Sequence, residues 1–387
     1  MLFLQNASIY LSNLQYNLFP QLEEAFATPL TDEHDKAIKV LEIIKVEEHV
    51  KTYTHSPLGG RPPYDRRKMA RAMIVRHILK IHTMSNLINR LEVDRGMRRI
   101  CGWLEGESLP SESTFSRAID DFANEKLFDE VHLRCLQDIL GDSITEHISY
   151  DSTAIPVYER PEKQEKKPPK TPKKRGRPAE GDIREPKELT RLQKQLNMTV
   201  DEMISELPVK CSSGCKKNSH GDNQYWSGYK FHVGLTCDNY PVVGITTGAN
   251  MHDSGAAIPM IEKAYERTTS LYDLMDSAYY MDEIKATSLK HNHVPIIDVN
   301  LRSTIKKKEQ EALSKIAFSS INIDKVIVDT DRKRRYKTRT SIERFNSRLK
   351  NSPAIQMIRV RGHVKVHALL MSATLVILAE TIIARVQ

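Results

Sequence analysis

Three carboxylates stand where a mixed helix and strand protein collects its chemistry. Asp151 follows the run 147–150 and Asp276 follows the run 271–275, and both runs read as strands. Ligands and catalytic groups in open sheets gather at strand ends. Glu343 has a different setting: it is the only acid between Arg332 and Lys350, among nine Lys and Arg. With Tyr336 at 0° on a helix of about 100° per residue, Arg339 falls near −60°, Glu343 near −20° and Lys350 near −40°. Ile342, Phe345 and Leu349 fall near 180–240°, on the core side. A single helix therefore buries an apolar stripe and presents Tyr, Arg, Glu and Lys in a row. An exposed Arg339/Glu343 pair alone would contribute roughly a few tenths of a kcal/mol and explains two of the four residues. Carboxylates are hard oxygen donors suited to Mg²⁺ or Mn²⁺.

The surrounding charge points to a polyanion. The 387-residue chain carries 58 Lys and Arg against 50 Asp and Glu, a net +8. Three stretches concentrate it: 61–100 at +8, 159–178 at +6 and 331–350 at +7, leaving the rest of the chain at −13. One basic run is usually a solvated face, but three on an otherwise acidic chain favour nucleic acid. Apolar residues at 40% and charged residues at 28% exclude a disordered chain or a collagen. Five Cys in no regular framework argue for a reduced, cytoplasmic setting. The first ten residues lack a signal-peptide pattern. The apolar segment 368–386 contains Ser372, Thr374, Glu380, Thr381 and Arg385. A charge deep in a bilayer costs on the order of 3 kcal/mol, so a buried core helix is expected there, with no membrane span.

The elements that must position these residues divide in two. Residues 1–140 read as all-helical, with helices over 22–27, 35–48, 65–81, 85–92, 97–101 and 114–122. Arg66, Arg67, Arg71 and Arg76 are expected as basic surface on the third of these. Helices joined by tight turns near 85–122 resemble a helix-turn-helix, with Ser113 as N-cap, although any small bundle has such turns. Residues 141–387 read as α/β, with strands over 147–150, 229–236, 241–247, 271–275 and 294–299, a turn at 237–240, and helices over 252–267 and 281–291. A hairpin followed by alternating strands and helices indicates a mixed sheet flanked by helices. A Pro- and Lys-rich linker, 159–188, interrupts this part. Within it, Lys173-Lys174-Arg175-Gly176-Arg177-Pro178 resembles an AT-hook, with Arg175 and Arg177 reaching a narrow minor groove. A plain basic tether explains the same residues.

The spacing Tyr336-x2-Arg339-x3-Glu343-x6-Lys350 resembles the Tyr-Arg-Glu-Lys pattern of DDE transposases from bacterial insertion sequences. Tyr150-Asp151-Ser152-Thr153 and Asp276-Ser277-Ala278-Tyr279 are similar to the contexts of that family's two aspartates. Gly228-Tyr229-Lys230-Phe231-His232 is similar to its Gly-Tyr-Lys-x-His strand, and Thr247 to His252 looks like its segment ahead of the central helix. The likeness covers roughly residues 60–380. It implies a ribonuclease H-like catalytic domain. Some members carry a large β-rich insertion before the Glu helix, and the short stretch 300–335 leaves no room for one here. The basic linker departs from the family pattern.

The resemblance further implies a DNA transposase in which Asp151, Asp276 and Glu343 hold two Mg²⁺ or Mn²⁺ ions. Such ions activate the nucleophile and relieve charge at the phosphate. The enzyme would cleave transposon ends and transfer the 3′-hydroxyl into target DNA. Arg339 and Lys350 would hold phosphates, and Tyr336 would bond a phosphate or stack on a base. Lys230 and His232, two apart on a strand, share a face; they either face the site or, for His232, serve the core. The partners implied are double-stranded DNA and a second copy, as a homodimer or larger assembly on DNA. Two alternatives stand beside this reading: a non-catalytic DNA-binding regulator derived from a transposase, and a metal nuclease that only cuts. Cys211, Cys215 and His220 lack the spacing of a zinc site. His252-Asp253-Ser254 is a local trio without triad geometry. No Gly-rich phosphate loop is present, which argues against nucleotide hydrolysis.

Overall fold

The computed structural model describes residues 31–51, 63–104, 106–141, 143–162, 188–217, 220–298, 331–356 and 358–386. The expected helix at 22–27, Arg175, Arg177 and nearly all of the linker lie outside the described residues.

The N-terminal part is helical. It contains α1 (Asp32–Ile44), a short 3₁₀ turn (Val46–His49), α2 (Arg66–Ile78), α3 (Met84–Val93), α4 (Arg95–Ile100), α5 (Glu112–Asn124) and α6 (Leu127–Leu140). Each of the first five helices starts at a side-chain cap: Thr31, Asp65, Thr83, Asp94 and Ser111 accept from backbone amides of the first turn. Such caps satisfy amides that the helix leaves unpaired. The cap of α5 is Ser111, two residues before the expected Ser113, because the helix already begins at Glu112. The helix α6 was not foreseen; Leu127, Phe128, Val131, Leu136 and Leu140 form its buried face.

The basic stretch 61–100 differs from the expected open surface. Arg71 and Arg76 are buried. Arg66 pairs with Asp121 at 2.6 Å, Lys68 with Glu107 at 2.7 Å, Arg71 with Glu47 at 3.3 Å and Arg90 with Glu33 at 2.8 Å. Arg76 donates to the carbonyls of Ile81 and His82. Much of this positive charge is thus spent inside the fold, tying helices together.

The second part is built on a six-stranded mixed sheet. Its strands are β1 (Ile144–Pro156), β2 (Ser212–Lys217), β3 (Asn223–Thr236), β4 (Pro241–Gly248), β5 (Thr269–Met275) and β6 (Val294–Ile297). The order is β2-β3-β1-β5-β6, with β4 paired to β3 beyond the β2 segment. The long β3 runs antiparallel to β1, β2 and β4, whereas β1, β5 and β6 run parallel. This is the mixed sheet that the sequence pattern indicates, in the ribonuclease H-like arrangement that the resemblance implies. Gly228 has φ +147°, and a Cβ there would lie 2.3 Å from the Ile155 carbonyl oxygen. Only glycine lets β3 approach β1 at that point.

Helices cover the sheet: α7 (Arg191–Gln195), α8 (Val200–Ser205), α9 (Ala257–Tyr265), α10 (Asp282–Lys290), α11 (Thr340–Lys350), α12 (Pro353–Gln356) and α13 (His363–Val386). The stretch expected as one helix from 252 opens as a 3₁₀ turn, Asp253–Ala256, before α9. α13 is long and apolar enough to cross a membrane, yet 78% of its apolar window is buried within the fold. It packs against α1, α2, α5, α6 and β4. The core helix expected from the sequence is therefore the element shared by the helical part and the sheet.

Candidate active site

The parallel pairing of β1 and β5 assembles the first two carboxylates. Ser149 pairs with Leu274; two residues on lie Asp151 and, one past the end of β5, Asp276. β1 continues to Pro156 and pairs Asp151 with Val233 of β3, so Asp151 sits within its strand and not after a strand that ends at residue 150. Asp276 caps the turn Ser277–Tyr279, its Oδ1 accepting from the Ala278 amide at 2.9 Å. That bond fixes the carboxylate at the strand end. Burial pushes the Asp151 carboxyl up to about 6; Arg339 and the Ser152 amide oppose this, while Asp276 and Asp253 add to it. Burial also raises the Asp276 carboxyl, with Asp253 adding to the shift and Arg339 opposing it. Two crowded, poorly hydrated acids of this kind favour a nearby cation.

The helix α11 lies against β1 and β3. The Asn346 side chain donates from Nδ2 to Asp151 Oδ2 at 3.0 Å. Arg339 Nη2 donates to Glu343 Oε1 at 2.8 Å, and Arg339 Nη1 stands 3.9 Å from Asp151 Oδ1. The guanidinium thus lies between the first and third carboxylates. Ile342, Phe345 and Leu349 are buried on the core side, as the helical angles require. Expectation and structure part at the start of the helix. The four-residue stripe assumed one continuous helix, but α11 begins at Thr340. Helical turns at 331–337 end at Thr338 and Arg339, where Arg339 N bonds Tyr336 O and Ile342 N bonds Arg339 O, both across three residues. This tighter spacing breaks the register between Tyr336 and Glu343. Tyr336 still lies near the site, with the Arg339 guanidinium 5.9 Å from its ring centre. Glu343 is more than half exposed.

Lys350 ends α11. Burial and Lys216 on β2 lower its ammonium, and Asp151 opposes them. A second lysine, unforeseen from the sequence, therefore accompanies it beside the site. Lys230 and His232 share a face of β3 but have separate environments. Lys230 donates to Asp253 Oδ1 at 2.8 Å and to the Met251 carbonyl at 2.7 Å. His232 is fully buried and bonds Thr247 Oγ1 at 2.9 Å. It has no surface to offer DNA, so of the two roles left open for His232, facing the site or serving the core, this environment is that of a core histidine.

Two contributors escaped the sequence reading. Asp253, set aside there as part of a local trio, accepts from Ser152 Oγ at 2.7 Å and from Lys230. Burial would raise its carboxyl, but Lys230, His232 and these hydrogen bonds hold it below the usual range. Its partner His252 bonds only its near neighbour Ser254 within the trio, at 2.7 Å. Asn346 falls near −80° on the helical wheel used above, at the edge of the stripe, so its position was available from angle alone. It was missed because an amide bears no charge.

The donor set suits a divalent ion in its chemistry: Asp151 and Asp276 are oxygen donors just past the β1–β5 pairing, and burial raises both carboxyls. Among the described residues, no group of three or more His, Cys, Asp or Glu is arranged to hold a metal, the Cys211 and Cys215 region included. Glu343 instead faces Arg339.

Family comparisons agree with this architecture. A family model described as Transposase domain (DUF772) matches residues 25–121, and one described as Transposase DDE domain matches residues 189–379. Asp253, Asp276 and Glu343 fall within the second match; Asp151 falls between the two. No curated protein and no solved structure matches the chain. The two matched segments lie in sequence on the helical part and on the sheet with its covering helices, and the chain belongs to the insertion-sequence transposases with a DDE domain.

Proposed function

We propose that the protein cleaves the ends of its insertion sequence and transfers the resulting 3′-hydroxyl into target DNA, using Asp151, Asp276 and Glu343. The observation that carries this reading is the placement of Asp151, two residues past the last β1–β5 pair, alongside Asp276 at the end of β5, with α11 bonded to Asp151 through Asn346. Asp151 and Asp276, with Glu343 recruited from Arg339, would hold Mg²⁺ or Mn²⁺, two ions in the full site. Such ions supply a deprotonated oxygen nucleophile and charge relief at the phosphate. Asn346 holds one Asp151 oxygen, and the other stands 3.9 Å from Arg339 Nη1. Arg339 and Lys350 would bind phosphate oxygens by charge-assisted hydrogen bonds. Lys230 would keep Asp253 ionised next to the two acids, and Tyr336 would contact a phosphate or base. Arg175 and Arg177 are proposed as minor-groove contacts, and α3 to α5 as a duplex-docking region. The protein would act as a homodimer or larger assembly on paired ends, in the cytoplasm.

The test is cleavage and joining of labelled end DNA with Mg²⁺ or Mn²⁺, comparing wild type with Glu343→Gln. The substitution preserves shape and removes one charge. Wild type is expected to cut and join; the variant is expected to bind DNA and do neither. Equal reaction by both removes Glu343 from the site. Binding by both with reaction by neither favours the non-catalytic regulator, and cutting without joining of a pre-cut end favours the simple nuclease.

A further inference from the structure

The helix α11 has a third face that neither the core nor the carboxylate site uses. Arg344, Ser347 and Arg348 are exposed on it, and Asn351 follows at its end. They form one wall of a groove of about 520 Å³. Lys80, just past the end of α2, and Lys36 of α1 line it as well. Ile78, Ala373, Val376 and Ile377 add apolar surface to the lining.

The charge of this groove is strongly one-sided. Lys36, Lys80, Arg344 and Arg348 face a single carboxylate, Glu380. Glu380 pairs with Lys36 at 2.5 Å and also with Arg348. Among the described residues, Lys80 and Arg344 form no ion pair. The His77 imidazole also lines the groove, but burial pushes it down to about 3, so it adds no charge at neutral pH. Hydroxyl and amide groups of Ser347, Asn351 and Ser352 supply further hydrogen-bond capacity.

We infer that this groove seats the sugar-phosphate backbone of duplex DNA beside the catalytic centre. Cationic walls suit phosphates, and the apolar lining suits the faces of the sugars. Among the described residues the groove has no Phe, Tyr or Trp and no glycine loop, and its one imidazole, His77, is buried, so neither a stacked base nor a free nucleotide is the better occupant. Its lining comes from α1, α2, α11 and α13. A backbone lying there would therefore bridge the helical part and the helix that carries Glu343. Contacts of this type set position on the duplex and leave base sequence unread. The inference rests on the proposed action on DNA and adds a surface to it.

The test measures binding of the full-length protein to a duplex of arbitrary sequence over a range of salt concentrations. Wild type is compared with Lys80→Ala/Arg344→Ala and with Lys80→Arg/Arg344→Lys, which preserves charge. Glu343→Gln serves as the control for the catalytic site. Loss of two phosphate contacts should flatten the slope of log K against log salt by about 2 and weaken binding roughly tenfold near physiological salt. The charge-preserving variant should match wild type, and Glu343→Gln should retain the full slope. Matching thermal melts would establish that the alanine variant is folded, as expected for two exposed side chains. An unchanged slope and affinity in the alanine variant would overturn the inference while leaving the proposed function standing. Failure of wild type to bind any duplex would overturn both. A change in self-association with unchanged DNA binding would make the groove a contact between copies and would also overturn the inference.

Discussion

Asp151 shows how little of an active site is fixed by a residue's identity and how much by its surroundings. Burial raises its carboxyl to about 6, above the usual carboxylate value. The folded state therefore holds this proton over a pH range where the unfolded chain has released it. By linkage, stability falls as pH rises through that window. The penalty is absent below about pH 4 and complete above about pH 7, and it amounts to on the order of 1–3 kcal/mol. Asp151→Asn removes the titration. In metal-free buffer its unfolding midpoint in urea should exceed that of wild type at pH 8 and match it near pH 4. A uniform difference at both pH values would mean that Asp151 is not held in this environment. Both acids were legible because apolar runs followed by Asp are conspicuous, but only Asp276 ends its strand; β1 runs through Asp151 to Pro156 because β3 pairs with it there. Asp253 and Asn346 were harder to read. Asp253 gains its place only when β3 brings Lys230 to it, and Asn346 acts through a hydrogen bond that no composition pattern records.

Elements were legible to the extent that local physics fixes them. The helices after Asp65 and Thr83 and the β3–β4 hairpin follow from caps, apolar periodicity and β-branched runs, and the structure has them. A helix that starts after Tyr336 is compatible with the sequence, but the break before α11 could not be located there because nothing between Lys337 and Thr340 is a glycine or proline. Tertiary contacts hold it, including Arg335 with Glu146 and Thr338 with His147. The same contest between helix pattern and burial appears in α1. Glu42 is 8% exposed, and its Oε1 has no hydrogen-bond partner among the described residues. Burial raises its carboxyl to about 8, although Lys45 and Lys39 pull it down. A raised acid contributes no penalty below its unfolded value and a full one above its folded value. Glu42→Gln should therefore raise the melting temperature at pH 9 and leave it nearly unchanged at pH 4. Calorimetry at the two pH values decides it; an equal gain at both would trace the effect to packing instead.

At the scale of the whole molecule, the expected division near residue 140 meets a helix that serves both parts. α13 packs against α1, α2, α5 and α6 and also against β4. Leu370, Leu375 and Ala379 are buried on it. Its polar residues are accommodated singly. Ser372 bonds His77 at 2.9 Å, His367 pairs with Asp129 at 3.2 Å, and Glu380 pairs with Lys36 and Arg348. These partners explain why the Ser, Thr and Glu content pointed to a buried core helix yet could not say which part of the chain the helix completes. Two consequences follow from shared burial. Leu370→Ala should destabilise the full chain by about 2–5 kcal/mol, the range for emptying a buried leucine site. Residues 1–140 expressed alone should lack their closing helix and expose the apolar faces of α1, α2, α5 and α6. Circular dichroism is then expected to show a broad, non-cooperative melt for that fragment and a sharp one for the full chain. If the fragment melts sharply, the helical part carries a sufficient core of its own, and α13 joins two finished domains instead of completing one.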